Sequence, residues 1–267
     1  MTALDQAFIR AYLQQDTPPP WAACSDSAAT VCAAETVSPE SEGAFMPAAY
    51  QPLLQVDRFA WPDGCRRLWA DAQPQLEELA DGVSAGLTFG RKVIALCGCR
   101  RGDGCTTLLL GAAERLASRG LRVVAVDADF EQPLLARRLG LMPEFGWQDV
   151  LCGLLPLQEA LIESLEDRLV VLPLRGQETA STDPAGCDAA GGIDALREQY
   201  DAILVDLGRF SPAGGLAGEV LHSVGRWVDQ AVIVRDARDS TTSNLERLSD
   251  RLRKAGVAEA GVVDNFV

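Results

Sequence analysis

Between Lys92 and Asp264 the chain alternates short apolar runs with stretches of helical period. Lys92–Cys97 (KVIALC), Leu121–Val126 (LRVVAV), Leu169–Leu172, Ala202–Val205 (AILV), Ala231–Val234 (AVIV) and Gly261–Asp264 each read as a strand. Runs this short and this apolar suit strands buried on both faces. Thr106–Ser118, Leu134–Leu139 and Ser243–Ala255 read as helices, the first closed by Gly120 as a C-cap. Strands alternating with helices predict an α/β protein with a mainly parallel sheet between two helical layers.

Ahead of this alternation, Asp63–Gly82 shows a helical pattern through Leu68, Trp69, Leu76 and Leu79. Residues 175–192 (RGQETASTDPAGCDAAGG) read as a flexible loop. Residues 1–57 differ from the rest. They hold six of the fourteen prolines and seven acidic residues against the single basic Arg10. They read as a disordered acidic tail, with one short helix expected at Leu4–Gln14. The globular domain is expected over 58–267.

Composition narrows the function. The chain has 267 residues, 48% hydrophobic and 23% charged, which suits one folded domain with an appendage. A net charge of −14 opposes bulk binding to nucleic acid or to an anionic membrane surface. The single histidine, His222, excludes any site needing two and argues against Ser-His or Cys-His catalysis. No apolar run reaches the ~20 residues of a membrane-spanning helix, and MTALDQAFIR lacks the features of a signal peptide. The eight cysteines form no CxxC pair, so they read as reduced thiols of a cytoplasmic protein.

The candidate chemistry follows the first strand of the alternation. GCRRGDGCTT, Gly98 to Thr107, joins that strand to a helix and approximates the phosphate loop G-x-x-x-x-G-K-[ST]. Gly102 and Gly104 sit where a backbone turns close to phosphate, and Thr106 where a hydroxyl meets Mg²⁺. The start of the helix offers N–H groups and a positive dipole end. Asp127 and Asp129 end the second strand and Asp206 ends Ala202–Val205, the ends that line the crevice of a parallel sheet. Each carboxylate also has a bland reading, as a helix cap or a turn residue. Cys99 stands in place of the first glycine and Cys105 in place of the lysine. A helix N-terminus lowers thiol pKa, so a regulatory thiol at Cys105 is a minor alternative.

From about Arg91 to Val267 the chain resembles the cytoplasmic ATPase domain of the bacterial tyrosine kinases of capsule and exopolysaccharide synthesis, relatives of the ParA/MinD ATPases. GDGCTT at 102–107 resembles their first Walker motif and VDADFEQPLLARRLGL at 126–141 their second. GWQDVLCGLLPLQEAL at 146–161 is similar to the stretch after it, and YDAILVDL at 200–207 to the Walker B strand. VDQAVIVRDARDSTTSNL at 228–245 and the terminal GVVDNFV match the last region. The resemblance implies a P-loop NTPase-like fold that takes ATP and Mg²⁺. It implies cofactor contacts from Arg100, Arg101, Gly102, Asp103, Gly104, Cys105, Thr106 and Thr107. It places Mg²⁺ at Thr106, Asp127 and Asp206, and catalytic roles at Asp127 and Asp129.

The departures shape the expected function. In the family the lysine at position 105 grips the β- and γ-phosphates, and a cysteine has no such charge. Loss of one electrostatic donor at the transition state costs roughly 10²–10³ in rate. Arg100, at the place of the extra signature lysine of ParA/MinD relatives, is the candidate substitute. The family's kinases modify a C-terminal tyrosine cluster, whereas the tyrosines here are Tyr12, Tyr50 and Tyr200. The expected function is a degenerate nucleotide-binding regulator partnered with a membrane polysaccharide-export or co-polymerase protein. It would sit in the cytoplasm at the inner face of the membrane, capable of homo-oligomerisation, without nucleic acid and without inserting in the bilayer. The alternatives are an active tyrosine kinase or ATPase, and a ParA/MinD-like positioning ATPase.

Overall fold

The computed structural model describes residues 52–175, 189–209, 226–238 and 242–265. In chain order the elements are β1 (Leu54–Val56), α1 (Asp63–Asp71), α2 (Gln73–Thr88), β2 (Val93–Gly98), α3 (Cys105–Ser118), β3 (Val123–Asp127), α4 (Leu135–Arg138), α5 (Trp147–Leu151), α6 (Leu157–Ala160), β4 (Ile162–Ser164) and β5 (Leu169–Leu172). There follow α7 (Ala189–Gln199), β6 (Ala202–Arg209), β7 (Gln230–Asp236), α8 (Thr242–Lys254) and β8 (Ala258–Asn265). The strands form one eight-stranded sheet in the order β1-β4-β5-β3-β6-β2-β7-β8. Every neighbouring pair is parallel except β4 with β5.

Pleating explains the two cores. Along β2, Ile94 and Leu96 face the layer of α2 and α3, whereas Val93, Ala95 and Cys97 face the opposite side with α7 and α8. All six residues of β2 and all five of β3 are buried, as central parallel strands require. Leu108, Leu109 and Leu110 of α3 are buried against the first face. A fully buried leucine contributes roughly 1.5–3 kcal/mol, so this one turn anchors the helix that opens at the loop. On the second face Trp147 and Trp227 pack edge to face at 5.9 Å.

Three expectations change. The helical pattern over Asp63–Gly82 is two helices, broken at Ala72 with φ −129°. Pro74 is the cause: inside a continuous helix it would lack an N–H and clash one turn back, yet it is at home in a first turn. The sheet also begins within the stretch read as tail, because Leu54–Val56 pairs with β4. Asp167 fixes the chain just beyond, taking the N–H of Phe59 at 2.8 Å and the indole N–H of Trp61 at 2.9 Å. Lastly, the loop expected over 175–192 overlaps α7, which starts at Ala189. The helix expected at Leu4–Gln14, Tyr12, Tyr50 and His222 lie outside the described residues.

Candidate functional site

The loop from Cys99 to Gly104 leaves the C-terminal end of β2, the strand between β6 and β7. Gly102 and Gly104 both have φ +92°, a left-handed conformation that glycine adopts at little cost. Nothing lies within 4 Å of the position a Cβ would take at Gly102, so the cradle is open there. Asp103 points inward, 3% exposed, and its Oδ2 accepts the N–H of Arg100 at 2.7 Å. Asn265 at the end of β8 donates its amide to the Asp103 carbonyl at 2.9 Å. The loop is therefore held by its own side chain and by a distant strand, and α3 begins directly after it.

The acidic side of the site comes from β3 and β6. Asp127 and Asp206 are direct register partners on these adjacent parallel strands. Thr106, in the first turn of α3, donates its hydroxyl to Asp206 Oδ2 at 2.6 Å. Asp206 Oδ1 accepts the Gly208 N–H at 2.9 Å. Asp127 accepts the N–H of Asp129 at 3.2 Å and that of Leu135, the first residue of α4, at 3.0 Å. The capping reading of Asp127 thus coexists with its place beside Asp206. Asp129 accepts the Gln132 N–H at 3.0 Å and rests against Gly208.

All three carboxyls are pushed above the usual range, in each case chiefly by burial. At Asp127 the charge of Asp206 adds to the effect, and backbone N–H donors from Leu135 and Asp129 oppose it. At Asp206 the Thr106 hydroxyl, the Gly208 N–H and the charge of Arg138 pull the other way. Asp129 rises to about 6. Desolvated carboxylates held this way gain from a cation.

Cys105 lacks the surroundings of a regulatory thiol, the minor alternative for this position. The residue is 7% exposed and packs in the core beneath the loop. Its sulfur lies 3.0 Å from where a Cβ on Gly98 would stand. Burial pushes its thiol well above the ordinary value, and nearby Asp206 pushes the same way. Desolvation overcomes the helix N-terminus, so the thiol stays protonated. Cys99 rises to about 11 through burial and the charge of Asp103.

Arg100 and Arg101 are both exposed. The charge of Arg100 is felt at Asp236, on the β7 side of the loop. There burial raises the carboxyl, but hydrogen bonds from Arg238 and the two guanidinium charges bring it below its usual value. Thr107 Oγ1 accepts a hydrogen bond from Arg138 Nη1 at 3.3 Å. Sequence reasoning missed Arg138, Asn265 and Gly208. Arg138 and Asn265 fall in two of the segments that carry the resemblance, 126–141 and 261–267, but nothing in their spacing marks them.

The residues fit a magnesium nucleotide in part. The open left-handed cradle and the start of α3 suit phosphate. The Thr106 hydroxyl with Asp127 and Asp206 offers hard oxygen donors of the kind Mg²⁺ takes. Among the described residues no three His, Cys, Asp or Glu side chains make a complete metal cage. Magnesium often keeps waters and shares phosphate oxygens, so such a site needs few protein ligands. Position 105, where the phosphate-loop pattern has a lysine, carries the uncharged Cys105.

Known proteins resemble this chain in sequence and in fold. The succinoglycan biosynthesis transport protein ExoP of Rhizobium meliloti is 26% identical over 226 residues, 80% of this chain. The tyrosine-protein kinase CpsD of Streptococcus agalactiae is 23% identical over 200 residues, 72% of this chain and 83% of that protein. The chain is thus similar in sequence to proteins of bacterial polysaccharide synthesis over most of its length. The kinase domain of the Escherichia coli tyrosine kinase ETK shares the fold, with a TM-score of 0.63 at 20% identity over 75% of this chain and 80% of its own. This chain spans only 28% of the length of ExoP. No family model matches the chain. Among the described residues no helix is long and apolar enough to cross a membrane.

Proposed function

We propose that this chain is a tyrosine-kinase-like P-loop protein of exopolysaccharide or capsule synthesis that keeps a frame for Mg²⁺-ATP while its phosphoryl transfer is impaired. The observation that carries this reading is Cys105, a buried neutral thiol at the start of α3 where the phosphate loop calls for a lysine. The frame itself is intact. Gly102 and Gly104 shape the cradle, Thr106 is oriented by Asp206, and Asp127 stands beside Asp206 in register. Bound Mg²⁺ would neutralise phosphate charge and orient the transferring group. The chain's own part is to cradle phosphate through Arg100 to Thr107 and to hold Asp127 and Asp129 at the reacting end.

The roles of the relatives, succinoglycan transport for one and tyrosine-protein kinase for another, support the pathway assignment. On this reading the chain works at the cytoplasmic face beside a membrane polysaccharide-export or co-polymerase protein. A target tyrosine is not evident within the folded core. Tyr200 is 6% exposed, and burial pushes its phenol pKa up. Regulation through the partner therefore fits better than self-modification of the domain. The test is a titration with Mg²⁺-ATP followed by a phosphoryl-transfer assay on the full chain. Measurable binding with transfer at least roughly 10² below that of a lysine-bearing relative is expected. Transfer equal to that relative's would refute the reading.

A further inference from the structure

We propose that Arg138, at the end of α4, supplies the phosphate-binding cation that position 105 lacks. This rests on the nucleotide reading of the loop given above. Arg138 is outside the loop motif and 31 residues from Thr107, yet its Nη1 donates to Thr107 Oγ1 at 3.3 Å. Thr107 lies in the first turn of α3, so the guanidinium stands beside the helix start that would receive phosphate.

The placement of Arg138 is built by the site itself. Asp127 Oδ2 receives the Leu135 N–H and so ties α4 to the end of β3. Leu135 and Leu139 are buried in the core on the α3 face, which sets the rotation of the short helix. Arg138 lies between them and stays exposed. Across Thr107, α1 forms the other wall. The Cys65 thiol approaches the Thr107 carbonyl at 3.8 Å, and Gly64 faces the Thr107 methyl.

Arg138 connects to the acidic centre through α3: it holds Thr107, and the hydroxyl of the preceding Thr106 is bound to buried Asp206 at 2.6 Å. The charge of Arg100 acts at Asp236, on the far side of β2 from Asp206. Of the two arginines, Arg138 is the one on the side of Thr106, Asp127 and Asp206. A guanidinium stays charged at any working pH and carries five N–H donors in a fork that matches phosphate. One of these N–H groups holds the Thr107 hydroxyl, and the planar head has others for a polyphosphate oxygen.

The experiment compares wild type, Arg138→Met, Arg138→Lys and Arg137→Met by calorimetric titration with Mg²⁺-ATP at several salt concentrations. Arg138 is exposed, so the melting temperature without nucleotide should be unchanged in all three variants. Arg138→Met should weaken binding about tenfold or more and flatten its salt dependence, because one charge-assisted contact is removed. Arg138→Lys should recover part of the loss, and Arg137→Met should match wild type. If wild type binds and Arg138→Met binds equally well, this proposal is overturned while the nucleotide reading stands. If wild type does not bind at all, the nucleotide reading fails and takes the role of Arg138 with it. Should Arg138→Met melt early, Arg138→Gln repeats the comparison, and equal binding there overturns the proposal in the same way.

Discussion

The carboxylate of Asp129 fills the space that a side chain at position 208 would need. A Cβ at Gly208 would collide with the Asp129 carboxylate, and Gly208 has φ +59°. A glycine two residues beyond Asp206 is thus what lets the second strand-end acid sit against β6. Gly208→Ala should cost roughly 1–2 kcal/mol for the left-handed backbone alone, with the clash added. Gly102→Ala bears the backbone cost only, since its surroundings are open. Chemical denaturation should therefore rank Gly208→Ala as clearly the more destabilised. Equal midpoints would mean that Asp129 moves aside freely.

Asp129 also gives stability a pH signature. Its carboxyl is raised by burial from the ordinary 3.8 to about 6 in the folded chain. A group raised on folding binds its proton more tightly in the native state. Its ionised form therefore works against folding above pH 6, and that penalty fades as pH falls toward 3.8. Asp129→Asn keeps an acceptor for the Gln132 N–H and removes the charge. It should melt higher than wild type at pH 7.5, with a margin that shrinks steadily between pH 6 and pH 4. A pH-independent difference between the two melting curves would show that charge is not the cause.

The sequence exposes the central sheet because strands buried on both faces cannot hide their composition. Apart from Lys92 and Arg122 near their starts, KVIALC, LRVVAV and AILV are apolar, and each lies within or close to a strand of the middle of the sheet. β1 and β4 escape notice because each is only three residues long, reading LQV and IES. α7 is masked by the Ala-Ala-Gly-Gly at its start, and the buried anchors Ile193 and Leu196 come only afterwards. β6 runs on to Arg209 past the charged Asp206, because the Thr106 hydroxyl and Gly208 N–H satisfy that carboxylate within the ladder. The strand-end acids were legible for the same reason the strands were. Arg138 was not, since only the docking of Leu135 and Leu139 turns it toward Thr107.

The assembly of the chain should depend little on nucleotide. A nucleotide shared between subunits, as the resemblance to ParA/MinD ATPases implies, would have to be held through its phosphates. With a neutral buried residue at position 105, the charge that would gather those phosphates is weakened at its usual origin. Sedimentation velocity with and without Mg²⁺-ATP should give the same species. A sharp nucleotide-driven shift to dimer would instead favour a working ATPase of the active-kinase or positioning type.

Cys105→Lys is the most direct probe of the site. The cradle of Gly102, Asp103 and Gly104 is in place, as are Thr106 and the carboxylates Asp127, Asp129 and Asp206. The thiol, however, occupies a tight slot under the loop, close to Gly98. A lysine cannot stay in that slot with its charge desolvated, so its stem must run along the loop toward the crevice. There the ammonium meets the buried Asp206 and any bound polyphosphate, both of which favour it. One recovered charged contact is worth roughly 1.5–3 kcal/mol, so Mg²⁺-ATP affinity should rise about tenfold or more. Hydrolysis or transfer should become measurable. Without nucleotide the variant should melt somewhat below wild type, because a packed core side chain has been withdrawn. Cys105→Met separates charge from length: it should lose stability without gaining affinity. If Cys105→Lys folds and still neither binds nor turns over ATP, the loop has lost more than one residue's worth of function. The domain would then serve partner recognition rather than nucleotide chemistry.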